Sequence, residues 1–162
     1  MHPNHDLLDR LYTALNKRDH DAMAACYTPD AHFRDIAFDW DKRDGIHTMW
    51  RMICSREIHA TFAIIDADET HGFAGAVFSY KFGASEDPSR PGRPVCNPTI
   101  STFTFHKGRI VRQEDCCDAK AWARMAIGNG PKGFLAGRIR LLRSATAKAK
   151  VAAFLRREAR PD

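Results

Sequence analysis

Nothing in this 162-residue chain approaches the roughly 18 consecutive apolar residues that a membrane-crossing helix needs. The opening stretch, Met1-His2-Pro3-Asn4-His5-Asp6, lacks the basic and apolar regions of a secretory leader, so the protein is expected in the cytoplasm. The five cysteines (Cys26, Cys54, Cys96, Cys116, Cys117) are odd in number and form no C-x-x-C pair, which favours reduced thiols over a disulfide or zinc framework. Eight histidines are scattered without H-E-x-x-H or knuckle spacing, so no metal is expected. Internal repeats and low-complexity tracts are missing as well. A hydrophobic content of 44% excludes a disordered chain and suits a single domain with a sizeable core.

Acidic residues are scarce only at the C-terminal end. Arg138 to Arg160 holds eight Lys/Arg against one acid, Glu158, while the rest of the chain is close to neutral. The net charge of +5 thus belongs to the tail and says little about a ligand of the body. An alanine-rich basic helix of this kind suits packing on the body or on a second subunit. Contact with a membrane surface is the next reading, with Phe134, Leu135, Leu141, Leu142, Phe154 and Leu155 as apolar anchors. Nucleic acid is not expected, because aromatics are not interleaved with the charge.

Apolar residues at three- and four-residue steps (Leu7, Leu8, Leu11, Leu15) predict a helix over His5–Lys17, with Asn4 or Asp6 as its cap. Asp19 predicts the cap of a short second helix ending at Tyr27. Thr28-Pro29-Asp30 then predicts a turn, since proline disfavours helix in the residue before it. Beyond it, alternation puts Ala31, Phe33 and Asp35 on one face of a strand. Phe38–Asp41 reads as an irregular hairpin or loop, and Asp44 as the cap of a helix to about Cys54. From there the period falls to two, predicting strands over Glu57–Asp66, Phe73–Phe82, Pro98–His106 and Arg109–Cys117, with a loop over Ser85–Pro94. Asp118 predicts the cap of a helix over Ala119–Ile127, stopped by Gly128-Asn129-Gly130-Pro131. A basic helix from about Arg140 to Arg157 lies outside this body, dividing the chain into a domain over 1–130 and an extension over 131–162.

Two stretches carry a resemblance: L-Y-T-A-L-N-K-R-D-H-D-A-M-A-A-C-Y-T-P-D-A-H-F-R-D (Leu11–Asp35) and K-G-R-I-V-R-Q-E-D-C-C-D (Lys107–Asp118). In this order and spacing the chain resembles the SnoaL-like polyketide cyclases, ketosteroid isomerase and nuclear transport factor 2. Residues 5–127 are covered, and the G-R-P-V-C-N stretch with Ala126–Leu142 is similar to a bacterial branch for which the resemblance supplies no reaction. The implied fold is α+β: a cone-shaped, curved mixed sheet wrapped around N-terminal helices, cystatin-like, with an extra C-terminal basic helix.

Granted that fold, alternation turns inward Phe33 and Asp35; Phe78 and Tyr80; Ser101, Phe103 and Phe105; and Val111, Asp115 and Cys117. Val77, Ile100, Thr102, Thr104 and Ile110 turn outward, where the family implies a homodimer through the outer face of the sheet. The resemblance places Asp35 at the catalytic base of ketosteroid isomerase and Asp115 at a carboxylate of the cyclases. The isomerase's first-helix tyrosine falls on Leu11, with Tyr12 turned about 100° away, and its protonated acid falls on Ser101. The Arg-x-Asp and Tyr-x-Asn pairs of limonene epoxide hydrolase fall on Phe78/Tyr80 and Phe33/Asp35. Both of those reactions are therefore disfavoured. What remains is a pocket for a small hydrophobic molecule, without cofactor. Asp35 and Asp115 are its candidate catalytic residues, and Phe33, Phe78, Tyr80, Ser101, Phe103 and Phe105 its candidate substrate contacts. Two readings are left: acid–base isomerase, cyclase or dehydratase chemistry on a hydrophobic carbonyl compound, and a non-catalytic binding or assembly module of the same fold.

Overall fold

The computed structural model describes residues 2–84 and 89–159. Its elements run α1 (Pro3–Asn16), α2 (His20–Ala25), β1 (Tyr27–Arg34), β2 (Asp39–Trp40), α3 (Arg43–Cys54), β3 (Ile58–Ala67), β4 (His71–Phe82), β5 (Arg93–His106), β6 (Arg109–Cys116), α4 (Ala119–Ala126), α5 (Pro131–Arg138) and α6 (Arg140–Glu158). The six strands form one curved, open sheet in the order β2-β1-β6-β5-β4-β3. Only β1 and β6 pair in parallel. The α+β cone expected from the sequence is thus the fold of the described chain, with α1, α2 and α3 packed on its concave side.

The first helix buries Leu7, Leu8, Leu11, Tyr12 and Leu15 as its apolar stripe. Its cap is His2, not Asn4 or Asp6: His2 Nδ1 accepts from the Asn4 amide at 3.2 Å. Asn4 instead reaches across, its Nδ2 donating to the Asp68 carbonyl at 2.8 Å, which ties the helix to the β3–β4 turn. Asp19 does cap α2, accepting from the Ala22 amide at 2.9 Å. The helix stops at Ala25 and β1 already begins at Tyr27, so Thr28–Asp30 is not a free turn but part of an irregular pairing with β6 between Tyr27 and His32. Pro29, with no N–H to give, sits in that irregularity. Asp44 lies in the first turn of α3 and makes no cap, which suits an acid near a helix N-terminus without fixing the boundary.

β5 is longer than the alternation predicts, starting at Arg93. The expected loop therefore gives up Arg93 and Pro94 to the strand, and its Ser85–Pro88 portion lies outside the described residues. Pro94 and Pro98 fall in the part of β5 that pairs with β4 but runs beyond β6, where one edge has no ladder to complete. A bulge corrects the parity of β6. Thr104 pairs with Arg112 and Phe105 with Ile110, so Val111 is an extra residue. Ile110, expected outside, is fully buried, and Val111, expected inside, is half-exposed.

The C-terminal helices are not detached from the body. Ala147 and Val151 of α6 join the same core cluster as Leu8, Phe33 and Met49. Arg143 is buried and donates from Nε to the Ile36 carbonyl (2.9 Å) and from a terminal nitrogen to the Ala136 carbonyl (2.6 Å). Arg51 of α3 pairs with Glu158 near the end of α6. Gly128 takes φ = +112°, a left-handed conformation that lets the chain turn out of α4 toward α5. Among the described residues no helix is long and apolar enough to cross a membrane.

Candidate functional site

Among the described residues a cavity of about 660 Å³ opens in the cone. It lies between the concave face of the sheet and a cover made by α3, α4 and the C-terminal helices, and its wall is mostly apolar. Asp35 and Asp115 both line it, as do Phe33, Phe78 and Tyr80. Ser101, Phe103 and Phe105 do not. They are at most 4% exposed and form packed core beneath the cavity floor, because the cone narrows toward α1 at that end of β5.

Asp115 stands opposite Ser101 in the β5–β6 ladder. Its Oδ1 accepts from Gln113 Nε2 at 2.9 Å, and Gln113 Oε1 in turn accepts from the Tyr27 hydroxyl at 2.5 Å. Tyr27 and Gln113 are buried, so this chain of bonds fixes which end of the amide faces the acid. Burial pushes the Asp115 carboxyl up to about 7, against the opposing pull of the Gln113 and Ser101 bonds, and the charge of Asp35 pushes it the same way. It therefore exchanges its proton near neutrality.

Asp35 follows β1 in a tight loop. Its Oδ1 accepts from the amides of Ala37 (2.6 Å) and Phe38 (2.5 Å), and its own amide donates to the Phe38 carbonyl. The neighbouring His32 and Arg34 do not pair with it: both approach Asp39. Burial raises the Asp35 carboxyl, with the two amides and then Arg140 and Arg143 of α6 opposing it. Arg140 also donates to the main-chain carbonyls of Asp35 (3.3 Å) and Phe38 (3.2 Å), so α6 holds the loop that carries the acid. Both acids are enclosed by protein yet keep part of their surface open to the cavity.

Tyr80 supplies a hydroxyl on the wall. It accepts from Trp122 Nε1 at 2.7 Å, which leaves its own proton free to donate to a ligand oxygen. Burial pushes its phenol up to about 12, so the proton stays on. Tyr12, beside Leu11 on the first helix, turns its hydroxyl into the cone, donating to Ser101 Oγ at 3.0 Å and stacking on Phe62. Both hydroxyls are thus paired below the cavity, and neither lines it.

Gln113, Tyr27 and Trp122 were not singled out by sequence. Gln113 had a signal, since it shares the inward parity of Asp115; the other two are apolar-face aromatics with nothing in the sequence to separate them from packing. Two groups elsewhere bring three potential metal-ligating atoms together, His20/Asp21/His47 and His32/Asp39/Asp41, and none of these residues lines the cavity.

A mixed, open α+β cone with a largely apolar cavity, Asp35 and Asp115 among its wall residues, defines the class of fold. The chain belongs to the SnoaL-like domain family, whose model matches residues 8–113. It is similar in fold to a candidate polyketide cyclase from Silicibacter sp. TM1040, at TM-score 0.67 and 19% identity, over 76% of this chain and 94% of that one. A ketosteroid isomerase-like protein from Catenulispora acidiphila, solved with trimethylamine, aligns at TM-score 0.61 and 14% identity over 74% and 91%. The epoxide hydrolase/cyclase-like enzyme SalBIII, of pyran ring formation in salinomycin, aligns at TM-score 0.60 and 14% identity over 70% and 89%. No curated protein matches the chain.

Proposed function

We propose that this protein is an acid–base enzyme for a small hydrophobic carbonyl compound, working without a cofactor as an isomerase, cyclase or dehydratase. One observation carries the reading: two carboxyls, both held back from ionising by burial, open onto one apolar cavity. In the reaction Asp35, whose ionised form is favoured by two amides, takes the proton from the carbon next to the carbonyl. Tyr80 donates to the oxygen on which the enolate charge develops. Asp115, poised near neutrality, gives a proton to a second carbon or to a departing hydroxyl. An isomerisation then balances once the two acids re-equilibrate through water. Ser101, off the cavity wall, bonds Asp115 and accepts from Tyr12, so it supports the acid and not the oxyanion.

The test is deuterium exchange. Enolisable hydrophobic ketones incubated with the protein in D2O should gain deuterium at the α-carbon, followed by NMR. Asp35→Asn should slow this by about 10²–10⁴-fold, and Asp115→Asn should spare the exchange while stopping net turnover. Absence of exchange in the presence of demonstrated binding would favour the alternative, a binding module without turnover. That alternative has its own support in the structural duty of Asp35 Oδ1.

A further inference from the structure

The matched family segment ends at Gln113, yet a whole side of the cavity is built from residues C-terminal to it. Helix α6 contributes Leu142, Arg143, Thr146, Ala147 and Lys150 to the wall. The cations on the wall are not equivalent. Arg56, Lys81 and Lys132 are exposed, and Arg143 is committed to the carbonyls of Ile36 and Ala136. Lys150 is half-buried, with Nζ 3.3 Å from the centre of the Phe82 ring. Among the described residues no carboxylate lies within ion-pair distance of it. An ammonium withdrawn from water toward an apolar wall, with only an aromatic face for company, is an under-compensated charge. Its environment says the same: burial, and then Arg56, pull the amine down to about 8. None of the three carboxylates that line the cavity, Asp35, Glu57 and Asp115, is within ion-pair distance of it.

We propose that Lys150 anchors an anionic oxygen group, such as a carboxylate or an ionised enol, on an otherwise hydrophobic ligand in this cavity. The inference rests on the reading of the cavity as the ligand site, and it narrows that ligand from a hydrophobic carbonyl compound to an acidic one. Phe82 beneath Lys150 packs edge-on against Trp122, which holds Tyr80, so an anion bound by the ammonium would lie on the wall that carries the hydroxyl. The anchor sits on a helix outside the family segment.

Two fluorescent probes separate charge from shape: 8-anilinonaphthalene-1-sulfonate and N-phenyl-1-naphthylamine, the same ring system without the sulfonate. Titrated into the full chain at pH 7, the sulfonate is expected to bind at least tenfold more tightly than the neutral probe. Lys150→Met should erase that preference, weakening the sulfonate at least tenfold and the neutral probe less than twofold, while Lys150→Arg retains it. Lys148→Met, exposed on the same helix, should change neither. Lys150→Gln gives the same readout if the methionine variant fails to fold. Equal loss of both probes in the Lys150 variants would make Lys150 a packing residue and overturn the inference. So would a Lys148→Met effect as large as that of Lys150→Met, which would assign the preference to diffuse tail charge. Binding of the neutral probe with no preference for the sulfonate overturns the anchor and leaves the cavity reading standing; binding of neither overturns both.

Discussion

Asp115 is bonded by Gln113 and Ser101, neither of which carries a charge, and that makes the acid replaceable. Asparagine at 115 keeps the acceptor for Gln113 while removing the charge that burial opposes. Wild-type protein unfolded releases this proton near 3.8 and folded near 7, so between those values the folded state holds more protons and its stability falls as pH rises. Above pH 7 the loss is complete. Asp115→Asn is therefore expected to gain on the wild type from about pH 4 to pH 7, by about 2 kcal/mol, less than the full linkage value because the cavity admits water. Urea unfolding at several pH values would show it, and a variant less stable than wild type at pH 7 would make Asp115 an ionised structural partner. Asp35 behaves differently, because its oxygen closes a loop. Asp35→Asn should fall within about 0.5 kcal/mol of wild type, whereas Asp35→Ala, leaving two amides without an acceptor, should cost about 1–2 kcal/mol.

At the scale of elements, α6 does more than pack on the body. Its hydrophobic content is modest, yet it joins the core through Ala147 and Val151 and reaches the Asp35 loop through Arg140 and Arg143. Arginine suits this task, since one guanidinium can donate to several carbonyls at once. Arg143→Met preserves much of the buried stem but leaves the Ile36 and Ala136 carbonyls without their donor. It is expected to destabilise by about 2 kcal/mol in denaturant titrations, and a neutral result would show that water replaces the bonds. The strands keep their alternation closely except at bulges. Val111 displaces the parity of β6 for one residue, and Ile65 is likewise skipped in the pairing of β3 with β4.

For the whole molecule, removal of residues 138–162 is expected to leave a body that unfolds cooperatively, because most of the core cluster lies between Leu7 and Ile110. Loss of α6 would open the cavity and uncover its floor, so a drop in Tm of roughly 5–10 °C is expected by calorimetry. A non-cooperative transition would place α6 inside the folding unit itself. Assembly is a separate proposal. The convex face of the sheet exposes Ile65 (63%), Phe73 (44%) and Ile100 (50%), and Ile65 and Ile100 flank the bare backbone of Gly75. An apolar strip of this kind suits an isologous contact between two copies. Light scattering at micromolar concentration should give a dimer, converted to monomer by Ile100→Asp, and a monomeric wild type would end the proposal.

The fold was legible in the sequence because its elements are encoded locally. Period marks α1, caps mark α2 and α4, alternation marks β3 to β6, and glycine with proline ends α4. The same alternation brought Asp35, Asp115, Phe33, Phe78 and Tyr80 to one wall, since a strand's two faces are set by parity alone. What alternation cannot supply is depth. Ser101, Phe103 and Phe105 have the right parity but lie below the cavity, and Tyr12 reaches inward by the rotation of a helix whose buried stripe is wider than one row. The bonds that tune the site were beyond local reading for a related reason. Gln113 meets Tyr27 across 86 residues, Trp122 meets Tyr80 across 42, and Arg140 meets the Asp35 loop across 105. The alanines of the basic segment suggest a packing helix, but only the curved sheet leaves the apolar mouth that it covers. Local sequence determined the elements and the two acids. Only the packed chain decided which side chains share a cavity, because contacts between distant segments are set by how whole faces fit together.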